Sequence, residues 1–204
     1  RGTSPTLKKV QETNAIFGRA IEYARKQNKD VLWVIAAGNE CRDTKYASPA
    51  SLVEKFPQDV VVVGSIDRDG GLSSFSNYGD LVDVAAPGGG ILSTLPRTCA
   101  ANEAGDLVCK DEYGVKSGTS MAAPHVSGLA VLIRSAHPEF NARRVKACIV
   151  NFATRPVQSH NFNIIDAEKS VQCGETDEVT APNIPTPPPS NNGGGGQRRP
   201  FGGR

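Results

Sequence analysis

Gly118-Thr119-Ser120-Met121-Ala122-Ala123-Pro124-His125-Val126-Ser127-Gly128 is the stretch on which the reading of this chain turns. A glycine precedes a hydroxyl pair, and small and apolar residues follow. The pattern predicts a helix over 119–137 with Ser120 at its start. A helix N-terminus presents unpaired N–H groups and a partial positive charge. An oxyanion formed beside Ser120 would therefore be stabilised by the backbone N–H of that residue. Pro124 is expected in the first turn, where a missing N–H costs little. Ala122, Ala123, Ser127, Gly128 and Ala130 are small enough for close packing against neighbours, and Leu129, Leu132 and Ile133 are expected to bury the helix. Taken alone, such a serine is better explained as a helix N-cap.

Outward from this stretch, strands alternate with helices. Residues 6–28 read as an amphipathic helix on Val10, Phe17, Ile21 and Ala24. Val31-Leu32-Trp33-Val34-Ile35-Ala36-Ala37 is a continuous apolar run, which suits a strand buried on both faces of a parallel sheet. It ends at Gly38-Asn39. Residues 60–63 and 81–86 give two further strands, and 91–95 with 113–116 the arms of an antiparallel hairpin. Residues 67–71, Asp-Arg-Asp-Gly-Gly, are a turn by composition. Helices are expected over 141–151, with Asn141 as N-cap, and over 166–171. The class is α/β: a three-layer domain with a parallel sheet flanked by helices.

Composition bounds the rest. Residues 1–174 have the mixed composition of a globular domain; 175–204 do not. The Pro182–Pro189 region is a stiff spacer and Gly193–Gly196 a flexible one, so 175–204 are expected to be a disordered linker or tail. A net charge of +2 gives no reason to expect nucleic acid or a membrane surface as partner. There is no run of about 18 apolar residues to span a bilayer. Arg1 is not a natural start, so the chain is expected to be cut from a longer one. Five cysteines leave at least one unpaired. Cys99 and Cys109 close a short loop and are candidates to pair, as are Cys148 and Cys173, with a missing segment as the candidate partner of Cys41. Disulfides at these pairs would indicate a secreted protein; the alternative is five ordinary thiols. There is no CxxC or Cys/His cluster to suggest a metal site.

The 118–128 stretch resembles the serine motif of the subtilisin-like proteases almost residue for residue. Ala36-Ala37-Gly38-Asn39-Glu40 resembles the family's oxyanion segment. Phe75-Ser76-Asn77-Tyr78-Gly79, Val82-Asp83-Val84-Ala85-Ala86-Pro87-Gly88 and Ile91-Leu92-Ser93-Thr94-Leu95-Pro96 are similar to the segments between those two sites. The resemblance covers residues 31–171, as the C-terminal part of the catalytic domain, with the N-terminal part missing. It implies that Ser120 is the nucleophile and that the Asn39 amide donates to the oxyanion. It places substrate contacts at Ala36, Ala37, Gly38 and Thr119, the first three as a small-residue wall of the specificity pocket. Asp83 falls at a structural acid, and residues 97–112 look like an insertion tipped by Cys99 and Cys109.

In this family the catalytic Asp and His precede the oxyanion segment. The chain's three histidines, His125, His137 and His160, all follow Ser120. His125 lies five residues along the helix, roughly 7 Å of rise away, and is poorly placed as a base. The triad is thus incomplete, and the isolated chain is expected to be inactive. The implied function is a serine endopeptidase acting through an acyl-enzyme on polypeptides, outside the cell. A propeptide or the N-terminal part of the same protein is the expected companion. The competing reading is a protease-derived, non-catalytic binding module. An esterase or lipase would need G-x-S-x-G, and the second glycine is lacking. The one cofactor the resemblance admits is calcium as a structural ion. Asp43, Asp67 and Asp69 are the candidate ligands, each better explained as a turn acid.

Overall fold

The structure, a computed structural model, describes residues 7–174. The tail reading for 175–204 lies outside the described residues. In chain order come α1 (Leu7–Lys26), β1 (Trp33–Ala36), two 3₁₀ turns (Thr44–Tyr46 and Ala50–Glu54), β2 (Val60–Ile66) and β3 (Val84–Pro87). Then follow β4 (Ile91–Ala101), β5 (Leu107–Lys116), α2 (Thr119–Ala136), α3 (Ala142–Asn151), β6 (Arg155–Pro156), β7 (Asn163–Ile164) and α4 (Ala167–Val171).

β2 organises the sheet, whose order is β1-β2-β3-β7-β6. β1, β2, β3 and β7 run parallel, and β6 pairs antiparallel with β7. Successive side chains of a strand point to opposite faces, and the valine run uses both. Val60 and Val62 pack with Ile21, Leu52, Val53 and Phe56. Val61 and Val63 pack with Val84, Val126, Ile133, Val145 and Ile149. A parallel strand buried on both faces reads as unbroken hydrophobic sequence for this reason. Each fully buried valine contributes about 1.5–3 kcal/mol. The result is three layers: α1 and a 3₁₀ turn, the sheet, then α2 and α3.

Several expectations change. β1 is half-buried along its length rather than buried. Among the described residues it pairs with β2 alone. α1 does not use Phe17, which is 46% exposed. It packs instead through Val10, Gly18 and Ile21, and Gly18 brings the helix against Phe56 and Leu52. After Thr119, α2 is buried along Ala122, Val126, Leu129 and Ile133 only. Leu132 is 56% exposed, and nothing lies within 4 Å of where a Gly128 side chain would begin. A stripe at i, i+4, i+7 and i+11 faces the sheet, and the opposite side of the helix looks away from it. Pro124 is the sixth residue of α2, in its second turn, so the carbonyl of Ser120 receives no helical N–H from it. The strand expected at 81–86 begins only at Val84; Leu81 and Val82 are buried in the turn before it. The 97–112 segment prolongs the β4–β5 hairpin, with a register shift between Leu95 and Thr98.

The Cys99–Cys109 and Cys148–Cys173 disulfides are formed. The first joins directly opposed residues of the hairpin. The second ties α3 to the chain after α4. Cys41 is exposed and free. Among the described residues, no helix is long and apolar enough to cross a membrane.

Candidate active site

Parallel order places the C-terminal ends of β1, β2 and β3 side by side, and α2 starts there. Gly118 is buried, and its N–H donates to the carbonyl of Gly88 at 2.9 Å. This fixes the first residue before α2 against the loop that leaves β3. Gly88 has no room for a side chain: a Cβ would fall 2.3 Å from Ser65 Oγ and 2.7 Å from the Gly118 carbonyl oxygen.

Asn39 and Ser120 lie far apart in sequence, and Thr119 brings them together. The Thr119 N–H and its hydroxyl both donate to Asn39 Oδ1, each at 2.9 Å. The same hydroxyl oxygen accepts from the Gly38 N–H at 3.2 Å. With its oxygen held twice, the Asn39 carboxamide has one remaining function. Its Nδ2 donates to no partner among the described residues. The Ser120 N–H and hydroxyl likewise have no partner there, and both Ser120 and Asn39 are exposed. Two unpaired donors and an unpaired hydroxyl therefore meet at one solvent-facing helix start. A negative charge is favoured at that point.

The other residues expected at the site divide. Ala36 and Gly38 are partly exposed, as a pocket wall requires; Ala37 is fully buried and offers no side-chain surface. Thr119 is also fully buried. Its hydroxyl is engaged with Asn39 and Gly38, so its contribution is to aim Asn39. Nothing in a lone threonine beside a serine signals this role. It becomes visible only when β1 and α2 are brought together.

No histidine bonds to Ser120. His125 Nδ1 lies 2.9 Å from the Met121 carbonyl within α2. His137 Nε2 lies 3.0 Å from the Val171 carbonyl, and its ring stacks on Phe140. His160 stacks between Tyr78 and Phe162. The Asp83 side chain, just before β3, is buried, with Oδ1 2.8 Å from Lys146 Nζ and Oδ2 accepting from the Val62 N–H at 2.8 Å. Burial pushes its carboxyl upward, opposed by the Lys146 ammonium and that N–H. It has no geometry for orienting a base.

The three acids considered for calcium have local partners. Asp43 caps the turn at Lys45 N–H and pairs with Lys45 Nζ at 3.0 Å. Asp67 accepts from the Ser73 hydroxyl, and Asp69 from the Gly71 N–H. These three acids form no ligand cluster among the described residues.

Comparison with known proteins agrees with this geometry. The sequence model of the subtilase family, Peptidase_S8, matches residues 2–201. The extracellular basic protease of Dichelobacter nodosus is 46% identical over 109 residues, covering 53% of this chain and 16% of the relative. The thermophilic serine proteinase of Bacillus sp. strain AK1 is 42% identical over 116 residues, 57% of this chain and 24% of the relative. A solved protease from Pseudoalteromonas arctica PAMC 21717 is 34% identical with a TM-score of 0.61, covering 76% of this chain and 45% of that one. The chain thus spans under half the length of each of these proteins. A doubly packed parallel sheet, a serine opening the helix beside it, and a family match along nearly the whole sequence lead to one conclusion: the chain belongs to the subtilase family.

Proposed function

We propose that this chain carries the nucleophile and the oxyanion hole of a serine endopeptidase. Ser120 Oγ attacks the scissile carbonyl carbon, and the carbonyl π electrons move onto oxygen. The Ser120 N–H and Asn39 Nδ2 hydrogen-bond the oxyanion so formed. The serine proton passes to a histidine outside these 204 residues, expected in a preceding segment together with its orienting Asp. That histidine returns the proton to the leaving amine as the C–N bond breaks. Water then hydrolyses the ester at Ser120 by the same proton path. Polypeptides are the substrates, lying along the partly exposed wall at Ala36 and Gly38.

The observation that carries this reading is the Asn39 carboxamide. Its oxygen is fastened to the start of α2 by Thr119, while its nitrogen is left to donate beside Ser120. A turn asparagine has no need of such an arrangement. The relatives named as serine proteases support the same chemistry. The two disulfides and a relative named as extracellular support secretion.

The test is covalent labelling. The full-length protein should react with a fluorophosphonate at Ser120, and Ser120→Ala should abolish labelling and peptide hydrolysis while leaving thermal unfolding nearly unchanged. A folded full-length protein whose Ser120 stays unlabelled would be a non-catalytic binding module. The 204-residue chain alone is expected to hydrolyse nothing.

A further inference from the structure

The loop that carries Asn39 has no regular structure of its own, and one buried side chain gathers it from both sides of Asn39. Asn77 is fully buried. Its Nδ2 donates to the Ala37 carbonyl at 2.9 Å and to Glu40 Oε2 at 2.8 Å. Its Oδ1 accepts from the Glu40 and Arg42 N–H groups, both at 3.1 Å. An amide has two donor hydrogens and two acceptor lone pairs, and all four are used on residues 37–42. The network also fixes which end is oxygen, because two N–H groups converge on one atom and two acceptors on the other. The Asn77 backbone N–H adds a bond to the Gly38 carbonyl at 2.9 Å. These contacts bracket Asn39: Ala37 and Gly38 on one side, Glu40 and Arg42 on the other.

Gly38 fits the same device. Its φ of +106° lies where side chains are rarely found, and a Cβ there would fall 2.3 Å from Asn77 Nδ2. The loop thus closes down on the Asn77 amide with no space between them. Thr119 holds the Asn39 side chain from the α2 side; Asn77 holds its backbone from below.

We propose that Asn77 is a positioning residue of the oxyanion hole. It acts through the 37–42 loop to aim Asn39 Nδ2 and does not itself touch substrate. This rests on the reading of Asn39 as the oxyanion donor. A preorganised donor is effective only when held where the charge develops, and the single-residue loop link between Gly38 and Glu40 would otherwise leave Asn39 free to turn.

The test uses the full-length protein and the near-isosteric Asn77→Asp. This variant keeps both acceptor bonds. It loses both donors and sets a carboxylate against Glu40. We expect kcat to fall about 10–100-fold with KM within about threefold, the pattern of an interaction realised in the transition state. The loss relative to the parent should shrink toward low pH, where the facing carboxylates share a proton and regain a donor. Adding Glu40→Gln, which supplies an amide donor to the new carboxylate, should recover about tenfold. In an Asn39→Ala background, Asn77→Asp should cost under about threefold, because residues acting as a unit are not additive. Unchanged kcat, or a full loss on top of Asn39→Ala, overturns the proposal. If Asn39→Ala itself leaves kcat intact, the oxyanion reading fails instead. Hydrogen exchange in the unmutated protein needs no variant to fold: the Glu40 and Arg42 amides should be protected on this exposed loop, and free exchange at both overturns the proposal.

Discussion

Replacing Lys146 by methionine should destabilise this protein by an amount that depends on pH. The Lys146 side chain is 3% exposed and that of Asp83 6%. Its ammonium pairs with Asp83 at 2.8 Å and donates to the Val60 carbonyl at 2.5 Å, so α3 is pinned to β2 and to the turn entering β3. Methionine keeps the apolar stem and removes the charge. It leaves the Asp83 carboxylate buried with only the Val62 N–H as partner, and breaking a buried pair in this way costs about 3–5 kcal/mol at neutral pH. Burial already pushes the Asp83 carboxyl up, and Lys146 opposes that. Without Lys146 the folded value rises further above the unfolded value of about 3.9. Between those two values the folded state holds a proton that the unfolded state has lost. Stability therefore falls as pH rises through that window and returns as pH falls. Going from pH 7 to pH 5 should recover part of the loss, at no more than about 1.4 kcal/mol per pH unit. Urea unfolding followed by circular dichroism measures this, in full-length protein carrying Ser120→Ala to prevent self-digestion. Adding Asp83→Asn should recover much of the loss and flatten its pH dependence. A Lys146→Met penalty that is equal at pH 5 and pH 7, or below about 1 kcal/mol at pH 7, would refute the reasoning.

Two further outcomes follow from the same contacts. Asn39→Ala should lower kcat by about 10²–10³ with KM little changed, the magnitude already measured on removing this donor from a subtilisin; steady-state peptide hydrolysis by the full-length protein checks it. Replacing Cys148 and Cys173 by serine together opens a loop of 25 residues. Chain entropy alone puts the loss at about 3.5 kcal/mol, to be read as a lower urea midpoint, and an unchanged midpoint would mean that this bridge does not constrain the unfolded chain.

The central strand was legible in Val60–Val63, because burial on both faces leaves no polar position to obscure the pattern. The start of α2 was legible in Gly118-Thr119-Ser120 from the motif, although Gly118 stands at the N-cap position, no side chain caps the helix, and Ser120 is its second residue. The Asn141 cap was legible because a cap and the helix after it are local chemistry: its side chain accepts from the Arg144 N–H three residues on. Phe17 and Leu132 misled because apolar identity does not say which face of a helix meets the sheet; Gly18, without a side chain, is where α1 makes its close approach. The two-residue strands β6 and β7 have no period to read and exist because β3 offers them an edge.

The same division runs through the site. Sequence alone determined the types of group: a serine at a helix start, an asparagine after a strand, a buried acid in Val82-Asp83-Val84. Those follow from short-range chemistry and from a motif match. Only the tertiary structure decided how they are held. Thr119 turns the Asn39 carboxamide because β1 ends where α2 begins, with Asn39 and Thr119 80 residues apart in sequence. Asn77 shapes the Asn39 loop across 37 residues, and Lys146 of α3 meets Asp83 at the entry to β3. Hydrogen bonds are satisfied in space rather than along the chain, so the partners that give Asn39 its direction leave no mark next to it in the sequence.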